Sequence, residues 1–489
     1  MSKCLPPPQG IVNSQANAPP FSARPSDNGN TRAMAASPPP TLALIGNTPI
    51  VELTGFDTGP CTLFLKLESQ NPGGSIKDRM AVSMIEAAER SGALNPGDTI
   101  VEATAGNTGI GLALVAAIKG YRLILVIPDK MSSEKIAHAR ALGADTRITR
   151  SDVGPGHPDF YQDMAARIAR DTPNGYHINQ FGNQSNPLAH EITTGPEVWH
   201  QMDHKVDAIV CGVGSGGTLT GLSRFFARVA PECEMVLADP EGSSLAELVR
   251  TGRQVPSGTY AVEGIGGSSL PAVADFSRVH KAYSINDRES FSTARDLLKR
   301  TGIFGGPSSG TLLASALRYC REQTEPKRIV TFVCDTGAKY LSKMYNDYWM
   351  LDQGYAERPA TGTLRELITR RYQEGGVITV APDDTLLTAW QRMRMADISQ
   401  VPVIENGRCV GVLDESDLLL VLHDDASKFK SPVRDAMSSR LETVSAESGI
   451  AAVYNILNRG LVALVTDGDT FLGLITRSDL LSHFRRKLV

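Results

Sequence analysis

The sequence predicts an α/β protein in which a large region with mainly parallel sheets precedes a smaller, duplicated α/β module. From Thr41 to about Gly354, short apolar runs alternate with helical stretches, which is typical of parallel strands covered by helices on both faces. Beyond residue 362, a pattern of about 60 residues occurs twice. The polar stretch at 355–362 contains Gly and Pro, and we interpret it as a linker.

Residues 1–40 differ in composition from the rest of the chain. They are rich in Pro, Ser, Asn and Ala, which cannot supply a packed core, so we expect a disordered tail. A translation start at Met34 would remove most of it. The large region is expected to span 41–354 and the module 363–489, with repeats at about 363–425 and 430–489.

Composition narrows the class of protein. Hydrophobic residues make up 41% of the chain and the net charge is −4, which favours packed domains and gives no reason to expect nucleic acid or membrane as a partner. No secretory signal peptide or membrane-spanning run is evident. The seven cysteines are scattered, which fits a reducing, cytoplasmic compartment. His200 and His204 lack a third ligand, so no metal site is predicted.

Individual elements follow from the apolar pattern. Buried strands are predicted at 62–67, 122–127, 207–212 and 328–333, and a further strand at 99–102. Helices are predicted at 81–90, 110–119 and 133–142. In parallel sheets, ligands bind beyond the carboxyl ends of the strands, where Gly-rich turns lead into helices. Three such turns, together with the helix start at Lys77, are therefore the candidate functional segments.

Lys77 stands in the first turn of a predicted helix, after the turn-forming sequence Asn71-Pro72-Gly73-Gly74. The positive end of the helix dipole and partial burial both favour a neutral amine, which a lysine needs in order to form a Schiff base. A solvated surface lysine is the alternative interpretation. The Gly-Gly turn and Ser75 argue against it.

A glycine-rich segment at 212–221 lies between an apolar strand and an amphipathic stretch. Its backbone N–H groups can converge on an oxyanion at the start of the following helix. We therefore predict a phosphate site at Gly214, Ser215, Gly216, Gly217 and Thr218. A tight turn without a ligand is the alternative, and the segment matches neither a P-loop nor the dinucleotide fingerprint.

Two further loops join a strand to a helix. Residues 104–109 offer a second oxyanion-binding turn, which suits a substrate carboxylate, although an ordinary N-capping turn is the alternative. Residues 305–310 are expected to precede a helix that begins at about Thr311, and a serine that only caps this helix is the alternative.

Taken in order, these segments resemble the fold-type II pyridoxal 5′-phosphate (PLP) enzymes, and among them the cystathionine β-synthase family. The matching segments are 73–79, 104–109, 130–135, 185–190, 214–218 and 305–310. The resemblance implies PLP as cofactor and replacement of the β-substituent of L-serine or O-acetylserine by a thiol. With L-homocysteine as the thiol, the product is cystathionine, and hydrogen sulfide is expected as a side product.

The resemblance also implies roles for individual residues. Lys77 binds the cofactor covalently and moves the substrate's α-proton, Asn107 binds the ring 3′-oxygen, and residues 214–218 bind the phosphate. Ser308 faces the ring nitrogen, where a neutral hydroxyl makes the ring a weaker electron sink and favours replacement over transamination. The substrate carboxylate is expected to bind Thr104, Ala105, Gly106, Thr108 and Gln180.

Two departures from the family pattern leave the leaving group open. Gly267, Ser268 and Ser269 stand where relatives carry a bulkier or acidic residue, and Ala105 replaces a serine that some members use. The haem ligands of animal relatives have no counterpart, so haem is not expected.

The C-terminal repeat resembles a Bateman module, a pair of cystathionine-β-synthase-type domains. That family binds an adenosyl ribose through the Asp of a Gly-x-x-Thr-x-x-Asp segment, which the second copy keeps with Thr476 and Asp479. In the first copy Asp414 replaces the Thr, and an additional carboxylate repels a phosphate. We therefore expect at most one competent site, with S-adenosylmethionine favoured over ATP. An assembly module with empty clefts is the alternative.

Two other functions stay open at this point. A cysteine synthase would use sulfide on O-acetylserine with the same residues, and a ligand sensor would use the Bateman module with an inactive core. The resemblance further implies a homodimer or homotetramer.

Overall fold

The computed structural model describes residues 39–104, 106–357, 361–423 and 425–486. The predicted disordered tail at 1–40 therefore lies almost entirely outside the described residues, and Ala105 lies outside them as well. None of the described helices is long and apolar enough to cross a membrane.

Residues 39–357 form two β-sheets with covering helices. The strands are β1 (Ile50–Glu52), β2 (Thr62–Lys66), β3 (Thr99–Ala103), β4 (Arg122–Pro128), β5 (Asp145–Thr149), β6 (Gly175–His177), β7 (Ala208–Gly212), β8 (Glu234–Pro240), β9 (Val279–Ile285) and β10 (Arg328–Phe332). The α-helices are α1 (Lys77–Arg90), α2 (Asn107–Lys119), α3 (Ser133–Ala141), α4 (Tyr161–Asp171), α5 (Ser185–Ala189), α6 (Gly195–Gln201), α7 (Gly217–Val229), α8 (Leu245–Thr251), α9 (Asp287–Thr301), α10 (Pro307–Arg321) and α11 (Asp347–Asp352). A short 3-10 helix, Gly337–Tyr340, follows β10.

Parallel pairing dominates both sheets, as the apolar runs predict. One sheet has the order β5-β4-β3-β6 and is parallel throughout. The other has the order β1-β2-β10-β7-β8-β9 and is antiparallel only between β1 and β2. β3 is buried along its whole length, which explains the lack of polar alternation in its sequence. The strands predicted at 62–67, 99–102, 122–127, 207–212 and 328–333 are confirmed as β2, β3, β4, β7 and β10.

Three helices begin earlier than their apolar periodicity predicts. α2 starts at Asn107 rather than 110, and α10 at Pro307 rather than about 311. The apolar residues of α1 begin at 81, but the helix starts at Lys77, which the preceding turn had already placed in its first turn. The polar and glycine residues of the preceding loops thus form the first helical turns, where backbone N–H groups have no partner within the helix. Ser308 accordingly lies inside α10 and not in the loop before it.

The C-terminal module repeats one α/β unit. Its strands are β11 (Gln400–Glu405), β12 (Arg408–Asp414), β13 (Thr443–Ser445), β14 (Ala463–Asp467) and β15 (Thr470–Ile475). Its helices are α12 (Leu386–Ala396), α13 (Glu415–Leu422), α14 (Ala451–Asn458) and α15 (Arg477–Arg486). Each copy places a helix before an antiparallel hairpin and another after it, and both hairpins shift register at the same point, after Val403 and after Val465. The internal repeat in the sequence is therefore also a repeat in the structure.

The module contacts the segment that follows β10. Arg485 on α15 donates a hydrogen bond to Gln353 Oε1 at 2.8 Å, and the guanidinium of Arg370 lies 5.3 Å from the ring centroid of Tyr348. The ring of Tyr355, at the start of the predicted linker, packs edge-on against Phe291. Residues 358–360 of that linker lie outside the described residues.

Candidate active site

The loops singled out in the sequence meet at the carboxyl ends of the parallel strands. Ser75 forms a β-bridge with Asp335, directly after β10, and Gly305 forms one with Thr336. The start of α1 and the loop before α10 thus lie against the same short segment. This is where ligands bind in parallel sheets, because several helix N-termini point at one space.

Lys77 is the first residue of α1 and is half-buried. Burial lowers the pKa of its ammonium, and the nearby Cys334 and Asp335 oppose that shift. Its Nζ makes no hydrogen bond to any residue that the structure describes. The two residues that follow it in the chain, in contrast, are fixed by hydrogen bonds. The Gly73 N–H donates to Asp78 Oδ2 at 2.6 Å, and Arg79 Nε donates to Glu68 Oε2 at 2.8 Å. The helix start is therefore held firmly while the Lys77 amine is left available.

Asn107, the first residue of α2, belongs to a polar cluster around Asp335. Its Nδ2 donates to Asp335 Oδ2 at 2.6 Å, and its Oδ1 accepts a hydrogen bond from Lys339 Nζ at 2.8 Å. The Tyr340 hydroxyl donates to the same oxygen of Asp335 at 2.6 Å. The other oxygen of Asp335 is buried without a partner in the described structure.

The glycine segment forms the N-terminus of α7. Gly216 has φ of 90°, a conformation that favours glycine, and a Cβ at Gly217 would overlap the side chain of Asn186. The following N–H groups of the first helical turn are not satisfied within the helix. The segment therefore has the geometry of an oxyanion site, as its sequence indicates.

Two residues behind this segment hold it in place, and sequence reasoning assigned them no role. Asn186 Nδ2 donates to Ser215 Oγ at 2.9 Å and to the Gln180 carbonyl oxygen at 2.9 Å. His190 Nε2 lies 3.3 Å from Thr218 Oγ1, and burial lowers the pKa of this imidazole well below its usual range. Both residues belong to segment 185–190. The sequence signal for their importance was that this segment is one of those that match the family pattern.

Ser308 is buried in the first turn of α10, beside Cys334. The Cys334 thiol hydrogen-bonds with Ser308 and also lies within electrostatic reach of Lys77. Burial raises the pKa of this thiol to about 12, so it is protonated at neutral pH. Cys334 thus connects the region of Lys77 with that of Ser308, a contact that the sequence did not indicate.

The loop after β3 is joined to Gln180. Thr108 Oγ1 donates to Gln180 Oε1 at 2.7 Å, and Gln180 Nε2 donates to the Ala103 carbonyl oxygen at 2.9 Å. Thr104 Oγ1 accepts from the Gly106 N–H at 3.0 Å. The described members of the predicted carboxylate site are therefore neighbours.

Glu102 lies behind that loop and is fully buried. It accepts a hydrogen bond from Gln180 Nε2 at 3.1 Å through one oxygen. Burial raises the pKa of its carboxyl to about 8, and the hydrogen bonds from Gln180 oppose the shift. Glu102 is consequently protonated at neutral pH and places no negative charge behind the loop.

A buried ion pair joins the motif segment 130–135 to the loop that precedes Gly267. Lys135 Nζ lies 2.8 Å from Glu263 Oε2, and Lys343 Nζ lies 2.6 Å from Glu263 Oε1. The Lys135 ammonium also sits 4.4 Å from the ring centroid of Tyr340, while its stem fills the space beside Gly106. The Gly267–Ser269 stretch that follows Glu263 is largely exposed, and no contact there selects a leaving group.

The module carries a second candidate site. Thr476 Oγ1 donates to Asp479 Oδ2 at 2.6 Å at the start of α15. At the equivalent position of the first copy, Asp414 and Asp417 form a reciprocal cap on α13. Their proximity adds to burial in raising the pKa of the Asp417 carboxyl. The two copies therefore have the same local fold but different charges, because Asp414 in the first copy stands where the second copy has Thr476.

Comparison with known proteins identifies the family. A model of pyridoxal-phosphate dependent enzymes matches residues 41–335, and a CBS-domain model matches residues 365–424 and 433–486. Cystathionine β-synthase of Oryctolagus cuniculus is 37% identical over 476 residues, covering 92% of this chain and 86% of that protein. The chain belongs to the cystathionine β-synthase family of PLP-dependent enzymes. The predicted fold class, cofactor and Bateman pair are thereby confirmed.

Other members of the wider group match only part of the chain. Cysteine synthase B of Escherichia coli (strain K12) is 41% identical over 302 residues, covering 61% of this chain and 93% of that protein. The solved structure of an O-acetylserine dependent cystathionine β-synthase from Helicobacter pylori is 34% identical with a TM-score of 0.58, covering 62% of this chain and 97% of that chain. The similarity to cystathionine β-synthase, in contrast, extends through the module.

The residues of the site fit PLP. An amine with a lowered pKa and no hydrogen-bond partner in the described structure suits a covalent bond to an aldehyde. A helix N-terminus lined by glycines suits a phosphate, and the buried hydroxyl of Ser308 suits a ring nitrogen. Among the described residues, no cluster of His, Cys, Asp and Glu has the arrangement of a metal site.

The glycine segment yields a test of cofactor binding. We expect Gly217→Ala to weaken PLP binding by at least about ten-fold, because Asn186 is held by two hydrogen bonds and cannot yield to the added methyl group. Dissociation constants from fluorescence titration of apoprotein would measure this. Gly154→Ala is the matched control, since a Cβ there meets nothing. Equal PLP affinity in both variants would contradict the phosphate assignment.

Proposed function

We propose that the enzyme condenses L-serine or O-acetylserine with L-homocysteine to form cystathionine. The observation that carries this proposal is the available amine of Lys77 at the same sheet edge as the glycine segment of α7, in a chain similar to cystathionine β-synthase over 92% of its length. Hydrogen sulfide is released when cysteine takes the place of serine.

The residues of the core have separate roles in this reaction. When bound, PLP supplies an electron sink that stabilises negative charge at the substrate's α-carbon. Lys77 binds the cofactor's aldehyde carbon and moves the α-proton, and its lowered pKa favours both roles. Residues 214–218 hold the phosphate, Asn107 the ring oxygen, and Ser308 the ring nitrogen.

The loop after β3 binds the substrate carboxylate in this proposal. Thr104, Ala105, Gly106, Thr108 and Gln180 supply hydroxyl, amide and backbone donors. The β-substituent leaves as water or acetate, and the sulfur of the thiol takes its place at the β-carbon and loses its proton. The protonated state of Glu102 supports carboxylate binding, because an ionised carboxyl behind the loop would repel it.

A substrate panel tests the reaction. L-Serine and O-acetylserine are each combined with homocysteine and with sulfide, and the products are identified by mass spectrometry. We expect cystathionine from homocysteine, and a loss of about 10²–10⁴-fold in Lys77→Ala. Lys205→Ala, an exposed lysine, is the control and keeps full activity.

Three outcomes would contradict this assignment. Cysteine formed from sulfide without any cystathionine would favour the cysteine synthase alternative. A pyridoxyl label at a residue other than Lys77 after borohydride reduction would refute its covalent role, and a protein that binds no PLP would favour the ligand sensor.

The raised pKa of Glu102 predicts that substrate binding depends on pH. Its carboxyl is neutral below a pKa of about 8 and negative above it, so the KM for L-serine is expected to rise in alkaline solution. Glu102→Gln keeps the oxygen that accepts from Gln180 and removes the ionisation, so the rise is lost. Steady-state KM values across the pH range measure this, with exposed Glu52→Gln as control. An unchanged rise in Glu102→Gln would exclude Glu102 as its cause.

The module is proposed to bind one adenosyl ligand through Thr476 and Asp479. Two carboxylates, Asp414 and Asp417, occupy the equivalent position of the first copy and disfavour an anionic ligand there. We favour S-adenosylmethionine over ATP because it carries no phosphate. The contacts of Arg485 and Arg370 with the core provide a route by which binding could alter activity.

Calorimetry of the full-length holoenzyme tests this site. We expect S-adenosylmethionine to bind once per chain, and Asp479→Asn to weaken it at least about ten-fold, because a charged hydrogen-bond acceptor is lost. Asp417→Asn, the same change at the same cap position of the first copy, is the matched control and leaves binding intact. Absence of heat with both S-adenosylmethionine and ATP would leave the module an assembly device.

We also propose a cytoplasmic homodimer or homotetramer. The six cysteines that the structure describes are free thiols, which supports a reducing compartment. The oligomeric state rests on the family resemblance, and a monomeric mass by light scattering would contradict it.

A further inference from the structure

Lys339 is a buried cation between Asn107 and the glycine turn that precedes α1. It lies in the 3-10 helix Gly337–Tyr340 and is 4% exposed. Its Nζ donates to Asn107 Oδ1 at 2.8 Å, to the Gly73 carbonyl oxygen at 2.8 Å and to the Gly74 carbonyl oxygen at 3.2 Å. All three N–H groups of the ammonium are thus directed at neutral oxygens on two of the active-site loops.

A cation that is buried against neutral acceptors costs folding free energy. Its presence in the site therefore indicates a role other than stability. Burial lowers the pKa of Lys339 to about 8, while Asp335 and Asp78 oppose the shift and Lys135 and Lys77 add to it. The amine is therefore still mainly protonated at neutral pH. In that form it can only donate hydrogen bonds.

The donor-only character of Lys339 determines which end of the Asn107 amide faces it. The carbonyl oxygen must point at the ammonium, and the amide nitrogen then points at Asp335, whose carboxylate accepts at 2.6 Å. A rotated amide would place NH₂ against the ammonium and C=O against the carboxylate. Lys339 and Asp335 therefore favour the same orientation from opposite sides.

We propose that Lys339 is a positioning residue that orients the Asn107 amide, so that its NH₂ group, and not its carbonyl oxygen, is presented to the ring 3′-oxygen of PLP. An amide nitrogen carries two N–H groups, and Asp335 occupies one of them. The inference rests on the role of Asn107 in the proposed function. An N–H donor at the ring oxygen stabilises its ionised form over its protonated form.

The absorbance of the resting holoenzyme measures this directly and without turnover. The ionised ring oxygen gives the long-wavelength band of bound PLP, and the protonated form absorbs in the near ultraviolet. We expect Lys339→Met to lower the ratio of these bands by about two- to ten-fold, the range for the loss of one hydrogen bond. Lys339→Gln, which can still donate, is expected to lower it less and serves if the Met variant does not fold.

A double-mutant cycle separates positioning from other effects. Asn107→Ala lowers the band ratio, and Lys339→Met then adds nothing in the Asn107→Ala background. Lys327→Met is the matched control, because this lysine pairs with Glu234 at the opposite end of β10 and leaves the ratio unchanged. Circular dichroism confirms that each variant is folded.

The other possible outcomes would contradict different parts of the proposal. A shift in Asn107→Ala with none in Lys339→Met or Lys339→Gln would overturn the positioning role and leave the proposed function intact. An equal shift from Lys339→Met in both backgrounds would overturn it as well, since Lys339 would then act on the cofactor directly. No shift in Asn107→Ala would remove the assignment of Asn107 itself, and the inference with it.

Discussion

The meeting of loops around Asp335 is the constraint on which the active site depends. Asp335 follows β10, its backbone pairs with Ser75, and its carboxylate accepts from Asn107 and Tyr340. Parallel strands have their carboxyl ends at one edge of the sheet, so a single buried residue can contact the turn before α1 through its backbone and the start of α2 through its carboxylate. A Cβ at Gly306 would overlap this carboxylate, so the approach of the third helix, α10, requires glycine.

Buried charged groups lie near Lys77, but none of those that the structure describes forms a hydrogen bond or ion pair with its amine. Arg79 is paired with Glu68 and with Glu197, and Lys66 joins the same network through Glu197. Removing one partner from such a network is strongly destabilising, so the start of α1 is held in one position. Residues adjacent in sequence thus have opposite roles, since Asp78 and Arg79 anchor the helix that carries the reactive amine.

Much of the fold and of the candidate site could be predicted because the signals are local. A strand such as β7 reads as an apolar run because both of its faces are buried. The glycine segment of α7 is visible because only glycine fits where Gly217 meets Asn186. The starts of α2 and α10 were placed too late, because polar first turns lack the apolar periodicity by which helices are found.

The sequence by itself determined the order of the elements and the duplicated module, since these follow from composition and spacing along the chain. It also supplied the candidate site residues, partly through the glycine-rich loops and partly through the family resemblance. Only the tertiary structure decided which of those residues act together. Asn107 and Asp335 are separated by 228 positions, and Lys339 and Gly73 by 266, so their hydrogen bonds depend on the order of strands in the sheet. The orientation of the Asn107 amide and the protonation of Glu102 follow from burial among those partners, which spacing along the chain does not encode.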